Sequence, residues 1–548
     1  MNHSQNNIAL GFSFLLFLFL CVFLKASTLW FSFNPSHDDL FFRLALISVV
    51  FFMFSYLKEK RSRIYVSLSF GALLIFSFWI NSSLLDVSFD GNWYQKEAIL
   101  QMSKGWNPYL GEPLKNADVP SGEWINYYGK GTWLFGTLIY DTFKKIELGK
   151  AFHLISIFAV YFLSVGIFQS FLRRKYLSWI FALTWALNPI AIYQEFTYFV
   201  DGFMASLIGC VFLFFFLLFQ TNSEIAFAGL ICSSVLMIST KATGLVYFLC
   251  ALGLAAGTAF FYNRKVFKKL IKGFILIGLL SIVISYNPYI TSWVRYGSPF
   301  YPFNAKYSLA GVTPPGSLIY DHLPEKYKPL NRYQKLFYSL FSESGFKGDP
   351  NLKIPFTIKK GEAGLFWNND FKFGGFGPLF SGALLLSLSF IGFLCRKLKK
   401  KDAVLLVYFP FAALLFSTLL NPEACWARYA PQLYFLCPYA LTLVLHYFPK
   451  RPALAFILCA VLLINSEAIL ENNLRYEIGL SSGLDKILMD LKGKAIIVDF
   501  DIFRALRSRL EEYGIPYTEI SGQEAKVYGE SHSGMRLGYQ MTIFKKIP

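Results

Sequence analysis

The chain has 548 residues, 55% of them hydrophobic, 19% aromatic and only 16% charged, with a formal net charge of +18. Its mean hydropathy of +0.44 excludes an ordinary soluble globular protein, which carries more charge and less grease. No basic-aromatic nucleic-acid module accompanies the excess of Lys and Arg, so nucleic acid is excluded as a partner. The charge instead reports topology and attraction to anionic lipid headgroups.

Taken in chain order, apolar stretches that can span the hydrocarbon layer fall at 8–24, 39–56, 64–85, 151–171, 176–194, 201–219, 225–240, 243–262, 273–290, 377–394, 403–420, 429–447 and 453–469. They predict an all-α polytopic membrane protein with about 13 transmembrane helices. The first stretch follows "MNHSQNN", without a basic n-region or a small-residue cleavage site, and reads as a retained helix. Basic clusters at "KEKRSR" (58–63), "RRK" (173–175), "NRKVFKKLIK" (263–272), "RKLKKK" (396–401) and "KR" (450–451) then share one side. The positive-inside rule makes that side cytoplasmic.

The opposite side receives the loops 86–150 and 291–376, a turn at 421–428 and the tail after 470. Within the first loop, 131–148 is apolar at helical spacing with Asp and Lys on another face, which predicts a helix lying in the membrane interface. In the second, "GVTPPGS" and many Lys and Tyr residues suggest a mobile loop that covers substrate. The tail carries a buried-strand pattern at 494–500, an amphipathic helix at 501–514 and a further strand at 515–520. A small extracytoplasmic α/β domain, 471–548, is expected beside a transmembrane domain, 1–470. The eight Cys (21, 210, 232, 250, 395, 425, 437, 459) lie in or beside spans without C-x-x-C, so neither a disulfide framework nor a zinc site is indicated.

Chemistry is therefore sought where polar groups sit just off the outer ends of spans. Asp90, a few residues beyond 64–85, would lie at headgroup level, where partial desolvation raises a carboxyl toward a useful base; the plain alternative is a solvated loop acid. Asp201 opens the span 201–219, as a site acid or as a helix-capping one. Lys241, Arg295 and Arg428 stand at outer boundaries, where they would clamp an anion or simply reach lipid headgroups. Arg428 is favoured because a guanidinium grips an oxyanion with two bonds. Glu195 and Glu423 are weaker candidates. Trp93, Tyr94, Trp106, Tyr109, Trp124, Tyr127 and Tyr128 would stack on the flat faces of a ligand or anchor the loop at the interface.

The pattern Asp90, Tyr94, Gln95, followed by "GWNPY" (105–109), resembles the first outer loop of the GT-C superfamily of membrane glycosyltransferases, which includes the protein O-mannosyltransferases and the lipid A aminoarabinose transferases. Family members often show an acid, then Tyr-His, then Gly-x-x-Pro-Tyr; here Gln95 stands in place of the His. Further likenesses follow in order: "LNPIAIYQEFTYFVDGFMASL" (187–207), "STKATGL" (239–245), "YNPYITSWVRYGSPFYP" (286–302), "GGFGPLF" (374–380) and "WARYAPQ" (426–432). The resemblance covers about 70–430.

It implies a GT-C-like transferase that moves a sugar from a polyprenyl-phosphate carrier to an acceptor hydroxyl of a glycan, lipid or protein. Asp90 would be the base of an inverting direct displacement and Asp201 a second catalytic-site acid. Tyr94, Gln95, Asn107, Tyr109, Lys241, Arg295, Tyr296, Tyr301 and Arg428 would contact substrate. No cofactor is implied. The oligosaccharyltransferase branch uses a divalent ion with Asp-x-Asp, whereas Asp90-Gly91-Asn92 lacks the second acid, so metal-independent catalysis is expected. The implied location is the bacterial inner membrane, with the site facing the periplasm or cell exterior and membrane lipids as surroundings. Two rivals are an O-antigen-type polymerase, which would depend more on outer-loop arginines than on Asp90, and a lipid-linked sugar flippase, which would place ionisable groups at midplane in repeated halves.

Overall fold

His3–Trp30 (α1) is apolar on every side, and such a helix must be enclosed by protein or by lipid. In the structure, a computed structural model describing residues 3–33, 38–301, 323–449, 453–525, 532–537 and 541–546, α1 is mostly enclosed by protein. Asp38–Tyr56 (α2) and Lys60–Ser83 (α3) lie outside it with most of their surface bare. After the polar segment that follows α3 come Lys96–Ser103 (α4), Gly122–Tyr127 (α5), Gly131–Phe143 (α6) and Phe152–Phe171 (α7). α7 packs along α1 so closely that a Cβ at Gly11 would stand 2.6 Å from the backbone nitrogen of Leu163, and one at Gly166 2.5 Å from Ile8 Cγ1. Small residues are what let two helices meet backbone to backbone where lipid offers no hydrophobic drive.

The expected span 176–194 is broken into Leu177–Ala186 (α8) and Pro189–Gln194 (α9). Pro189 cannot continue α8, and the Asn188 side chain accepts from the N–H of Ile190 (2.9 Å), starting a new helix. Asp201–Thr221 (α10) is the most enclosed helix, followed by Glu224–Thr240 (α11), Ala242–Tyr262 (α12), Arg264–Ile284 (α13) and Tyr286–Tyr296 (α14). Beyond the second long loop, whose described part holds Arg332–Phe341 (α15), come Phe380–Lys397 (α16), Lys400–Leu420 (α17, with a π turn at Val404–Tyr408), Leu436–Tyr447 (α18) and Ala453–Leu491 (α19).

Among the described residues nine helices are long and apolar enough to cross a membrane, which with the composition makes the chain an integral membrane protein. Each of the thirteen expected spans meets helix, but α8 and α11 are short, α13 begins within the basic run 264–272, and 429–447 is α-helical only from Leu436. α6, expected in the interface, is buried over 131–139 against α1, α2 and α4, so the side meant for lipid is covered by protein. The run "GVTPPGS" and the basic pair 450–451 lie outside the described residues.

α19 continues far beyond the expected span 453–469 and carries residue 470 within its length. It leads into Ile496–Asp499 (β1), Arg507–Glu512 (α20), Tyr517–Glu519 (β2), His532–Leu537 (β3) and Met541–Lys546 (β4). The sheet order is β2-β1-β4-β3, with β1 and β2 parallel and the other pairs antiparallel. Val498, Phe500, Leu506, Leu510 and Ile543 form its core together with Leu488 of α19 and Leu85, which precedes the first outer loop. That shared core sets the α/β unit against the loop carrying Asp90.

Candidate active site

Past α3 the chain turns extended at Leu84 (φ −114°, ψ 128°) and buries Asp86 completely. One carboxylate oxygen of Asp86 accepts from the N–H of Ser88 (2.8 Å) and the other from the N–H of Tyr198 (3.1 Å). A Cβ at Gly91 would stand 2.0 Å from Asp86 Oδ2, so the close turn requires glycine. A π turn at Gly91–Gln95 follows, a form that recurs at functional sites. It brings Tyr94 under Asp90, to whose Oδ2 the phenol donates (3.2 Å).

Three more chain breaks converge there. The α9–α10 turn presents Asp201, held locally by the bond from the Gly202 N–H to the Gln194 side chain (2.8 Å). The α11–α12 break presents Lys241, whose ammonium lies 2.7 Å from Asp201 Oδ1. The short turn Ala427–Tyr429 between α17 and α18 presents Arg428. Its Nη1 is 3.6 Å from Asp90 and 3.7 Å from Asp201, and its Nε is 3.0 Å from Asp370. Nη2 donates to the Tyr429 hydroxyl (3.0 Å). Lys372 completes the group, 3.0 Å from Asp370 and with its ammonium 3.5 Å from the centre of the Trp426 ring. Phe199, Trp426 and Tyr429 rings stand 4.8–5.1 Å from the guanidinium carbon.

Asp90, Asp370 and Arg428 open on a cavity of about 510 Å³, with Trp367, Tyr476 and Leu484 among its walls. Burial pushes the Asp90 carboxyl above its ordinary range, against the lowering pull of Arg428. Burial opposes the Arg428 charge, but Asp370, Asp201 and Asp90 more than offset it and keep the guanidinium protonated. Burial lowers Lys372 and raises the Tyr94 phenol. The arrangement pairs a carboxyl tuned toward a base with a charged fork that is close to Asp370 but whose contacts to Asp90 and Asp201 are loose. A larger anion can take those donors.

Of the residues singled out from sequence, Asp90, Tyr94, Asp201, Lys241 and Arg428 meet here. The others do not. Gln95 accepts from the Trp133 indole in the core. Asn107 accepts from the N–H of Tyr109 (2.9 Å) and donates to Leu29 (2.7 Å), and the Tyr109 phenol donates to Ile284 (2.7 Å), so both tie the loop to helix ends. Arg295 is exposed and reaches the Gly111 carbonyl at 3.5 Å. Tyr296 and Tyr301 stack on each other at 3.9 Å beside Tyr127. Trp93, Trp124, Tyr128 and Trp133 ring Tyr94, Trp93 stacking on Trp124 and Tyr128 on Trp133, and so back the site residue that bonds Asp90. Glu195 is buried without a hydrogen-bond partner, and burial raises its carboxyl.

Sequence reasoning passed over Asp370 and Lys372. The same boundary logic applied to "NNDFKFGGFGPLF" would have found them, since they precede re-entry at 377. Among the described residues no group of three or more His, Cys, Asp or Glu side chains is arranged to hold a metal.

No family model matches the chain, and no curated protein does. Among solved structures it is similar to the crystal structure of ArnT from Cupriavidus metallidurans bound to undecaprenyl phosphate, at a TM-score of 0.46 and 11% identity over 87% of this chain and 97% of that one.

Proposed function

We propose that this chain is a membrane glycosyltransferase that moves a sugar from a polyprenyl-phosphate carrier to an acceptor hydroxyl on the extracytoplasmic face of the bacterial inner membrane. The observation that carries the reading is Arg428 set 3.6 Å from Asp90 on one cavity. The cavity lies at the ends of α3 and α10 opposite their neighbouring basic clusters, where a lipid phosphate and a water-borne acceptor meet.

The acceptor oxygen attacks the anomeric carbon as the bond from that carbon to the phosphate oxygen breaks. The hydroxyl proton passes to Asp90, and both electrons of the broken bond leave with the phosphate. Charge growing on that phosphate is what Arg428 stabilises, with Lys241 and Lys372 in the same cluster. Asp201 and Asp370 hold the three cations together in the free protein. Single displacement inverts the anomeric centre. Residues 1–470 carry the membrane part of this machinery and 471–548 the outer unit. A flippase would need its charges along a path through the membrane, whereas this cluster sits at one end of the helices.

The test is transfer from a radiolabelled polyprenyl-phosphate sugar by purified protein. Asp90→Asn is expected to lower turnover by roughly 10²–10⁴-fold while native mass spectrometry still finds the carrier bound. Full transfer by that variant, with the protein intact in the membrane, overturns the mechanism.

A further inference from the structure

Upstream of Asp90 a second group of charges is sealed: Asp86, Lys96, Glu147, Lys150 and Arg509 are 0–6% exposed. Arg509 alone comes from the C-terminal unit, on α20. Its Nη2 donates to the backbone oxygen of Asp86 (2.7 Å) and lies 3.0 Å from Glu147 Oε1. Glu147 pairs with Lys150 (2.6 Å) and Lys96 (3.3 Å) and accepts from the Asp86 N–H (3.0 Å). Other contacts join the same two parts: the N–H of Ile146 donates to Glu512 (2.7 Å), that of Leu85 to Ser481 (2.8 Å), and Phe89 meets Phe503 edge to face at 5.2 Å.

Asp86 is the node of this network. Its backbone is gripped at nitrogen by Glu147 and at oxygen by Arg509 and Asn92. Its carboxylate fixes Ser88 on the way to Asp90, and Tyr198 on the way to Asp201. Arg509 also lines the cavity that Asp90 and Arg428 share, its own Nε–H buried and without a hydrogen-bond partner among the described residues.

We propose that the C-terminal α/β unit is a working part of the active centre, with Arg509 as the positioning residue that clamps the Asp86 turn and thereby sets Asp90 and Asp201. This rests on the reaction proposed above. It assigns the tail a role that its sequence, bare of catalytic motifs, does not suggest. A buried guanidinium bonded to a main-chain oxygen pins a backbone, whereas acceptor selection would require groups facing outward.

The experiment uses the full chain in lipid nanodiscs, comparing Arg509→Gln and Arg509→Lys with the unaltered protein. Hydrogen exchange without substrate is expected to quicken roughly tenfold across 85–95 and 197–202 in Arg509→Gln, while β1 stays protected. Turnover is expected to fall roughly 10²-fold with donor KM held within about twofold. Lysine, which keeps a charged donor, is expected to restore most of both. Unchanged exchange and kcat in Arg509→Gln overturn the proposal, as does a KM-only effect or a loss of protection spread through β1. Should Arg509→Gln fail to accumulate, Arg509→Lys decides: wild-type exchange over 85–95 together with a loss of turnover overturns it, and loosening of that segment alone supports it. If the unaltered protein transfers no sugar yet Arg509→Gln loosens 85–95, the transferase reading falls and the clamp stands.

Discussion

Two charge clusters lie one turn of chain apart, built from the same residue types, and they do different work. Around Arg428 the side chains are 5–29% exposed, Asp90, Asp370 and Arg428 open on a cavity, and the contacts run 2.7–3.7 Å, the longest being those of the guanidinium to Asp90 and Asp201. Around Glu147 the side chains are at most 7% exposed and the contacts run 2.6–3.3 Å, apart from a longer approach of Lys96 to Asp86. The second cluster is closed except where Arg509 reaches the cavity wall, and it acts as a tie. The first keeps its charges paired but displaceable, which is what an anion-handling site needs. Charged residue type therefore says little about role until solvent access is known.

The two clusters should part most widely where the tie is tightest. Glu147→Gln leaves three buried cations facing a neutral amide, and removing one partner of a buried pair costs about 3–5 kcal/mol. Thermal unfolding of the detergent-solubilised protein should show a clearly lowered midpoint, against little change for Asp370→Asn. Equal midpoints for the two variants would erase the distinction.

Arg428→Lys is expected to give the reverse pattern, a loss of roughly 10–10²-fold in kcat/KM because an ammonium lacks the planar fork, with thermal stability nearly kept. A finer probe is Tyr94→Phe. Burial already raises the Asp90 carboxyl, and the Tyr94 hydrogen bond works to lower it. Without the phenol the carboxyl rises further, so activity should fail at a higher pH as the solution is acidified; the acid limb of kcat against pH is expected to move up by a few tenths of a unit. The smallest effect is assigned to Arg295→Ala, which should change kcat/KM by less than about twofold, since Arg295 is exposed and reaches the Gly111 carbonyl only at 3.5 Å. A tenfold loss there would extend the site toward α14.

Much of the site is legible in the linear chain. Asp90, Asp201, Lys241 and Arg428 all stand where an apolar run stops, and a polar residue at such a stop is confined to a thin layer of the molecule. Linear reading does not separate them from Arg295, which stops a run equally well, or from Asn107, which the "GWNPY" likeness brings in. Those two differ only in what lies across from them. Asp370 and Lys372 carry the same signal, standing just before the chain re-enters at 377, but at the far end of a long polar loop where it is easily passed over.

Composition and periodicity by themselves determined that the chain is a helical membrane protein with its polar loops gathered at one end, because the cost of burying charge in hydrocarbon acts on each segment independently of the others. Which acid faces which base, that α6 is sheathed by protein, and that the tail clamps the loop bearing Asp90 were decided by tertiary packing. Those contacts join residues hundreds of positions apart, and only the packed backbone sets the ångström distances on which electrostatic pairing depends.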